Sequence, residues 1–119
     1  MKVLVSGSDG LLGSNIVNYI LQKTDIHVEL VCVDNRKRYG NINRPYQNNP
    51  RVEYLAPVDV CDLVDYKIND IDVVIHCAYD IGGIKHWCDD HEGFYKRNKH
   101  ISDRMIKWIE TISPQQVIW

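Results

Sequence analysis

The chain has 119 residues, 45% of them hydrophobic and 25% charged, with a formal net charge of -2. That length holds one domain with its own core. The slightly acidic balance excludes a general nucleic-acid binder, whose footprint would be basic. No apolar run approaches the roughly 18 residues that span a bilayer, so no membrane partner is expected.

Met1 and Lys2 lead into only three apolar residues before Ser6 and Gly7, which is not a signal peptide. Residues 2–6 are a short Val-rich run bounded by glycine, as in a buried parallel strand. Leu12, Ile16, Val17, Ile20 and Leu21 recur at three- and four-residue spacing, which predicts a helix. Residues 27–34, "HVELVCVD", form a second strand. A loop rich in Asn, Gly and Pro follows, carrying Arg36, Lys37, Arg38 and Arg44. "RVEYL" is a short third strand and "IDVVIHCA" a strong fourth. The spacing of Phe94, Ile101, Met105, Trp108 and Ile109 predicts a long helix over residues 92–111. "QQVIW" then begins a fifth strand.

Strands alternating with helices predict an α/β fold, with a parallel sheet covered on both faces. Val117, Ile118 and Trp119 are apolar, and domain ends normally sit at the surface. The chain is therefore expected to be the front part of a longer protein. The alternative is an edge strand at which the protein ends. Cys32, Cys61, Cys77 and Cys88 form no C-x-x-C pair, and reduced thiols in a cytoplasmic protein are expected.

Gly7, Gly10 and Gly13 follow a predicted strand and open a predicted helix, the context in which such glycines bind a dinucleotide. One allows a tight turn, the next a close approach of backbone to pyrophosphate, and the last close packing of helix on strand. The phosphate would then meet free N–H groups at the positive end of the helix dipole. A glycine triplet alone also suits an ordinary turn. Asp34, 21 positions after Gly13 at the end of the second strand, is placed to bind the ribose hydroxyls. Together these residues predict a dinucleotide site. A carboxylate at Asp34 repels the 2′-phosphate of NADP and favours NAD. Arg36, Lys37 and Arg38 argue the other way, since a basic residue just past the strand can hold that phosphate.

The G-x-x-G-x-x-G spacing resembles that of the extended short-chain dehydrogenase/reductase family, the NAD-dependent epimerases and dehydratases of nucleotide sugars. The resemblance covers essentially the whole chain and implies a three-layer, doubly wound Rossmann-type sheet over residues 1–119, truncated after the fifth strand. It implies that Gly7, Ser8, Asp9, Gly10, Leu11, Leu12 and Gly13 hold the pyrophosphate, with Asp34, Asn35 and Arg36 at the ribose. Asp59 and Val60 in "PVDVCD" match the family's Asp-hydrophobic pair at the adenine. His76, Cys77 and Ala78 match its H-x-A-A wall, with Tyr79 replacing the second alanine. Asn98 matches the asparagine of the family's next helix. "YDIGGIKHW" and "H-x-x-F-Y-K-R-N" look most like the GDP-mannose 3,5-epimerase branch, which implies Gly82 and Gly83 on the sugar side. The implied cofactor is NAD, and the implied partner of the full-length protein is a nucleotide sugar, with a homodimer left open.

Catalysis in the family uses a Tyr-x-x-x-Lys pair, whose lysine lowers the tyrosine pKa for proton abstraction. Tyr19 with Lys23 and Tyr95 with Lys99 fit by spelling but stand on the wrong helices. Both are expected to be decoys, with the catalytic residues beyond Trp119. His86, Cys88 and His91, beside Asp89, Asp90 and Glu92, offer zinc-type ligands but no clear fourth. A polar loop entering a helix start explains them, and no metal is expected. His76 is expected to be a satisfied strand-end residue. Two other functions stay open: a non-catalytic NAD(P)-sensing module, and a reductase of a non-sugar carbonyl.

Overall fold

The computed structural model describes residues 1–119 apart from Thr24 and the side chain of His86. Its strands are β1 (Lys2–Ser6), β2 (Glu29–Val33), β3 (Val52–Leu55), β4 (Val73–His76) and β5 (Gln116–Ile118). All pair in parallel, in the order β3-β2-β1-β4-β5. The helices are α1 (Leu11–Gln22), α2 (Ile84–Asp89) and α3 (His91–Ile112).

Successive side chains of a strand point to opposite faces of the sheet, so one apolar run feeds two cores. Val3 and Val5 of β1, with Leu30 and Cys32 of β2, pack against Val17, Ile16, Ile20 and Leu21 of α1. Leu4, Val31, Val33 and Val74 face the other way, onto Met105 and Trp108 of α3 and onto Leu63. Helices thus cover both faces, as the resemblance implies. The helix α3 starts at Asp90, whose carboxylate accepts from the Gly93 N–H at 3.1 Å. It stops at Ser113, in the left-handed region at φ 47°, whose N–H donates to the Ile109 carbonyl.

Two regions differ from the sequence expectation. Ile84–Asp89 is the short helix α2 rather than a polar loop. Its Ile84 and Trp87 are 86% and 53% exposed, so it has no buried apolar stripe by which the sequence could announce it. Its contact is local, Trp87 meeting Phe94 of α3 edge-on at 5.5 Å. Short 3-10 helices at Pro45–Asn48 and Val60–Asp65 stand in the two crossovers around β3. Both are too short to show a helical period.

The register aligns Ser6 with Val33 on one side and with His76 on the other. The carboxyl ends of β1, β2 and β4 therefore lie side by side. The chain order reverses at β1, and ligands of open α/β sheets bind at such a point. Among the described residues no helix is long and apolar enough to cross a membrane.

Candidate functional site

The glycine loop leaves β1 at Ser6 and enters α1 at Leu11. Gly7 sits at φ 67°, and a Cβ there would lie 2.7 Å from the Cys77 carbonyl and 2.8 Å from the Ala78 nitrogen. Gly13 packs its Cα against the Gly7 carbonyl, where a Cβ would collide with backbone. Both glycines are required by the fold itself. Gly10 differs: a Cβ there would meet only the Gly7 carbonyl, at 3.1 Å. That contact is tight, but it is not the outright collision found at Gly7 and Gly13.

Gly10 is the N-cap of α1, with extended backbone and no side chain capping the helix. The first backbone bond of the helix runs from Ser14 N–H to the Gly10 carbonyl. The N–H groups of Leu11, Leu12 and Gly13 precede that ladder, and the first turn carries no acid. Leu11 and Leu12 are 79% and 64% exposed. An uncapped helix start, approached over a glycine and flanked by exposed apolar side chains, suits a phosphate-bearing cofactor.

Asp34 stands one residue past β2. Its carboxylate accepts from the Asp9 N–H at 3.0 Å and the Arg36 N–H at 2.7 Å. Burial raises its pKa, opposed by those two hydrogen bonds. Each oxygen keeps a lone pair for a further donor, as a ribose hydroxyl would require. Beside it, Asn35 Nδ2 and Lys37 Nζ both donate to Asp59 Oδ2 at 3.1 Å. Burial alone would raise the Asp59 pKa. The Cys61 N–H, Asn35 and Lys37 outweigh it and hold the carboxyl at about 2. Val60, the apolar member of that pair, is buried.

Across β1, the Ser6 hydroxyl gathers the other wall. It accepts from the Cys77 and Ala78 N–H groups at 3.2 and 3.4 Å and lies 2.7 Å from His76 Nδ1. With two donors already on the oxygen, the hydroxyl proton goes to Nδ1, which assigns the ring proton to Nε2. Burial pushes the His76 pKa down to about 4, so the ring is neutral near pH 7. Nε2 is buried without a hydrogen-bond partner among the described residues, so this histidine is only half satisfied. Trp119 lies tilted against the ring, centroids 4.5 Å apart, and donates its Nε1–H to the Tyr79 hydroxyl at 2.6 Å. Tyr79 is 41% exposed.

The segment after β4 is pinned to α3. Asn98 Oδ1 accepts from the Asp80 N–H at 2.8 Å, and Asn98 Nδ2 donates to the Asp80 carbonyl at 3.0 Å. Gly82 and Gly83 follow, the Gly83 carbonyl accepting from the Trp87 N–H. Arg38, from the loop after β2, donates to the Ile81 carbonyl at 3.0 Å.

Asp9 holds the largest feature that the sequence did not announce. Its side chain is fully buried and turned away from the loop surface. The Tyr54 hydroxyl donates to Oδ2 at 2.6 Å, the Tyr46 hydroxyl lies 3.1 Å from Oδ1 and shares its proton with the Ser8 carbonyl at 2.7 Å, and Arg36 Nε lies 3.6 Å away. Arg44 Nη2 donates to its carbonyl. A fully buried carboxylate needs such partners. They come from three separate segments, which local spacing does not reveal.

Of the two Tyr-Lys strings, Lys23 lies over the exposed Tyr19 ring at 4.9 Å, and Lys99 pairs with Asp103. Among the described residues no cluster of His, Cys, Asp and Glu could hold a metal ion, and His86 lies outside that statement. All four cysteines are free.

A family model for the NAD dependent epimerase/dehydratase family matches residues 3–119, and the chain belongs to that family. Its fold is similar to that of a dTDP-glucose 4,6-dehydratase double mutant from Streptomyces venezuelae with NAD and DAU bound (TM-score 0.81, 21% identity). It is also similar to UDP-glucuronic acid 4-epimerase from Bacillus cereus in complex with UDP-glucuronic acid and NAD (0.71, 21%). A UDP-galactose 4-epimerase is a third such structure (0.72, 24%). Each comparison covers 98% of this chain but only 37% or 38% of the other, so the chain spans well under half their length. At these identities the likeness is one of fold. A search of curated proteins finds no match.

Proposed function

We propose that this chain is the NAD-binding part of a nucleotide-sugar epimerase or dehydratase. The observation that carries this reading is the uncapped start of α1, with Gly10 as its N-cap and the Leu11, Leu12 and Gly13 N–H groups ahead of the helix ladder. In this reading the backbone from Gly7 through Ser8, Asp9, Gly10, Leu11 and Leu12 to Gly13 surrounds the pyrophosphate. Asp34, with Asn35 and Arg36 beside it, takes the ribose. Asp59 and Val60 border the adenine, and Cys77, Ala78 and Tyr79 wall the cofactor's middle. Asn98 acts through Asp80, whose backbone it fixes, and Gly82 and Gly83 lie on the sugar side.

NAD, when bound, supplies a transient hydride acceptor for a sugar carbon. The chain's own residues bind and orient it. NAD is favoured over NADP because Asp34 places a negative charge at the ribose. Of the nearby cations, Arg36 is engaged by Tyr54, Arg38 by the Ile81 carbonyl and Arg44 by the Asp9 carbonyl, while Lys37 pairs with Asp59 from a largely exposed position. Neither Tyr19 with Lys23 nor Tyr95 with Lys99 is assigned a proton-transfer role. The four free thiols support a reducing compartment, the cytoplasm.

Calorimetric titration of the protein with NAD and NADP tests the reading. Saturable binding that is tighter for NAD supports it. No binding of either dinucleotide overturns it.

A further inference from the structure

We propose that Asp9 and Tyr54 help set the cofactor preference by holding the Arg36 guanidinium inward, where it cannot serve the 2′-phosphate of NADP. This inference rests on the dinucleotide reading above and concerns a device separate from the negative charge of Asp34.

Arg36 is the cation best placed to read that phosphate. Its N–H donates to Asp34 Oδ1 at 2.7 Å, so its backbone adjoins the carboxylate proposed for the ribose. An arginine beside that carboxylate is the usual means of accommodating a 2′-phosphate. Here the side chain is turned the other way and is only 18% exposed. Nε and Nη2 donate to the Tyr54 hydroxyl at 3.3 and 2.9 Å, and Nη1 donates to Asn41 Oδ1 at 3.3 Å. The guanidinium also lies 5.2 Å from the Tyr54 ring centroid. Tyr54 passes its own proton to Asp9 Oδ2 at 2.6 Å. The result is a directed chain of donors, Arg36 to Tyr54 to Asp9, ending on a fully buried carboxylate.

The chain has a reason to stay closed. Asp9 is buried and Arg36 is the cation in an ion pair with it, at 3.6 Å. Drawing Arg36 out toward solvent would leave that carboxylate without its counter-charge, the costly state for a buried ion. Lys37, 77% exposed and paired with Asp59, has no such restraint. Its ammonium is largely in solvent, although the Asp59 carboxylate is only 23% exposed, so that pair restrains Lys37 less than burial restrains Arg36. Of the two cations nearest Asp34 in the chain, Arg36 and Lys37, burial restrains Arg36.

The test compares the ratio of NAD to NADP affinity in the unsubstituted protein with that in Asp9→Asn, Tyr54→Phe and the Asp9→Asn/Arg36→Ala double variant. Asp9→Asn removes the counter-charge at constant shape and is expected to shift the ratio toward NADP by about tenfold. Tyr54→Phe, milder for folding, shifts it the same way by less. Adding Arg36→Ala to Asp9→Asn returns the ratio to its starting value. A ratio that does not move, because both affinities fall together or neither changes, overturns the proposal. So does a shift that survives Arg36→Ala, which would point to Lys37. If the unsubstituted protein binds neither dinucleotide, the dinucleotide reading fails, and this inference with it. That result is seen before any variant is made.

Discussion

Ser6 Oγ and His76 Nδ1 lie 2.7 Å apart, on residues that are register partners across β1 and β4. The contact joins the two strands at the point where the chain order reverses. It also sets a pH dependence. Burial holds the folded pKa of His76 at about 4, below the ordinary 6.5. The unfolded chain therefore binds more protons between those values. The contribution of His76 to stability is complete above about pH 6.5 and falls as the pH drops toward 4. Its size is on the order of 3 kcal/mol. Urea unfolding followed across that window should show stability rising with pH, and His76→Gln should flatten the rise. An unchanged slope in the variant would assign the titration to another group. Asp59 does not interfere, because its carboxyl, held at about 2, loses its contribution only at lower pH.

The three loop glycines should separate by phenotype. Gly7→Ala and Gly13→Ala drive a Cβ into backbone and should each lower stability by about 3 kcal/mol. Gly10→Ala brings a methyl to 3.1 Å from the Gly7 carbonyl, which asks the loop to give by only a few tenths of an ångström, and should cost less than either. Gly10→Val should abolish NAD binding while the protein still melts cooperatively. Thermal melts paired with NAD titrations check both halves. Wild-type affinity in Gly10→Val would reduce the glycines to a turn.

Asp34→Ala should weaken NAD binding by roughly 1.5–3 kcal/mol, the range for a hydrogen bond to a charged group. The same change should narrow or reverse the preference over NADP. It also removes the acceptor for the Asp9 and Arg36 N–H groups, so its stability must be measured beside its affinity. Equal titration of both dinucleotides by the unsubstituted protein would remove the basis for this prediction.

The strands were legible because each is an apolar run that a parallel sheet buries on both faces. Only their ends moved: residues 27–34 shrink to Glu29–Val33. The helix α3 was legible from Ile101, Met105, Trp108 and Ile109, all of which face one core. Short helices without a buried stripe were not. Gly7, Gly10, Gly13 and Asp34 are singled out by spacing along one βαβ unit, and in the structure Asp34 is hydrogen-bonded to the glycine loop at the Asp9 N–H. The inward turn of Asp9 was not legible, because Tyr46 and Tyr54 reach it from 37 and 45 positions away. Nor did the string "NRKR" show that each of its cations has a partner. Charge is written in the sequence, but the direction of a long side chain is decided by whichever buried acceptor the fold provides.

Asn98 gives the sharpest test of the segment after β4. Its carboxamide grips the Asp80 backbone at both the N–H and the carbonyl, and its Nδ2 also reaches the Phe94 carbonyl on its own helix. The grip fixes where Gly82 and Gly83 begin. Asn98→Ala removes all three contacts and should cost about 1–2 kcal/mol, since part-buried backbone groups lose their partners. It should also speed hydrogen exchange at the Asp80 amide. Asn98→Asp keeps an acceptor for that N–H but cannot donate to the carbonyl. It should therefore keep the Asp80 amide protected while still losing part of the stability. Exchange measured residue by residue separates the two variants. Equal protection of Asp80 in the alanine variant would mean that Arg97, paired with the Asp80 carboxylate at 2.5 Å, holds the segment without Asn98.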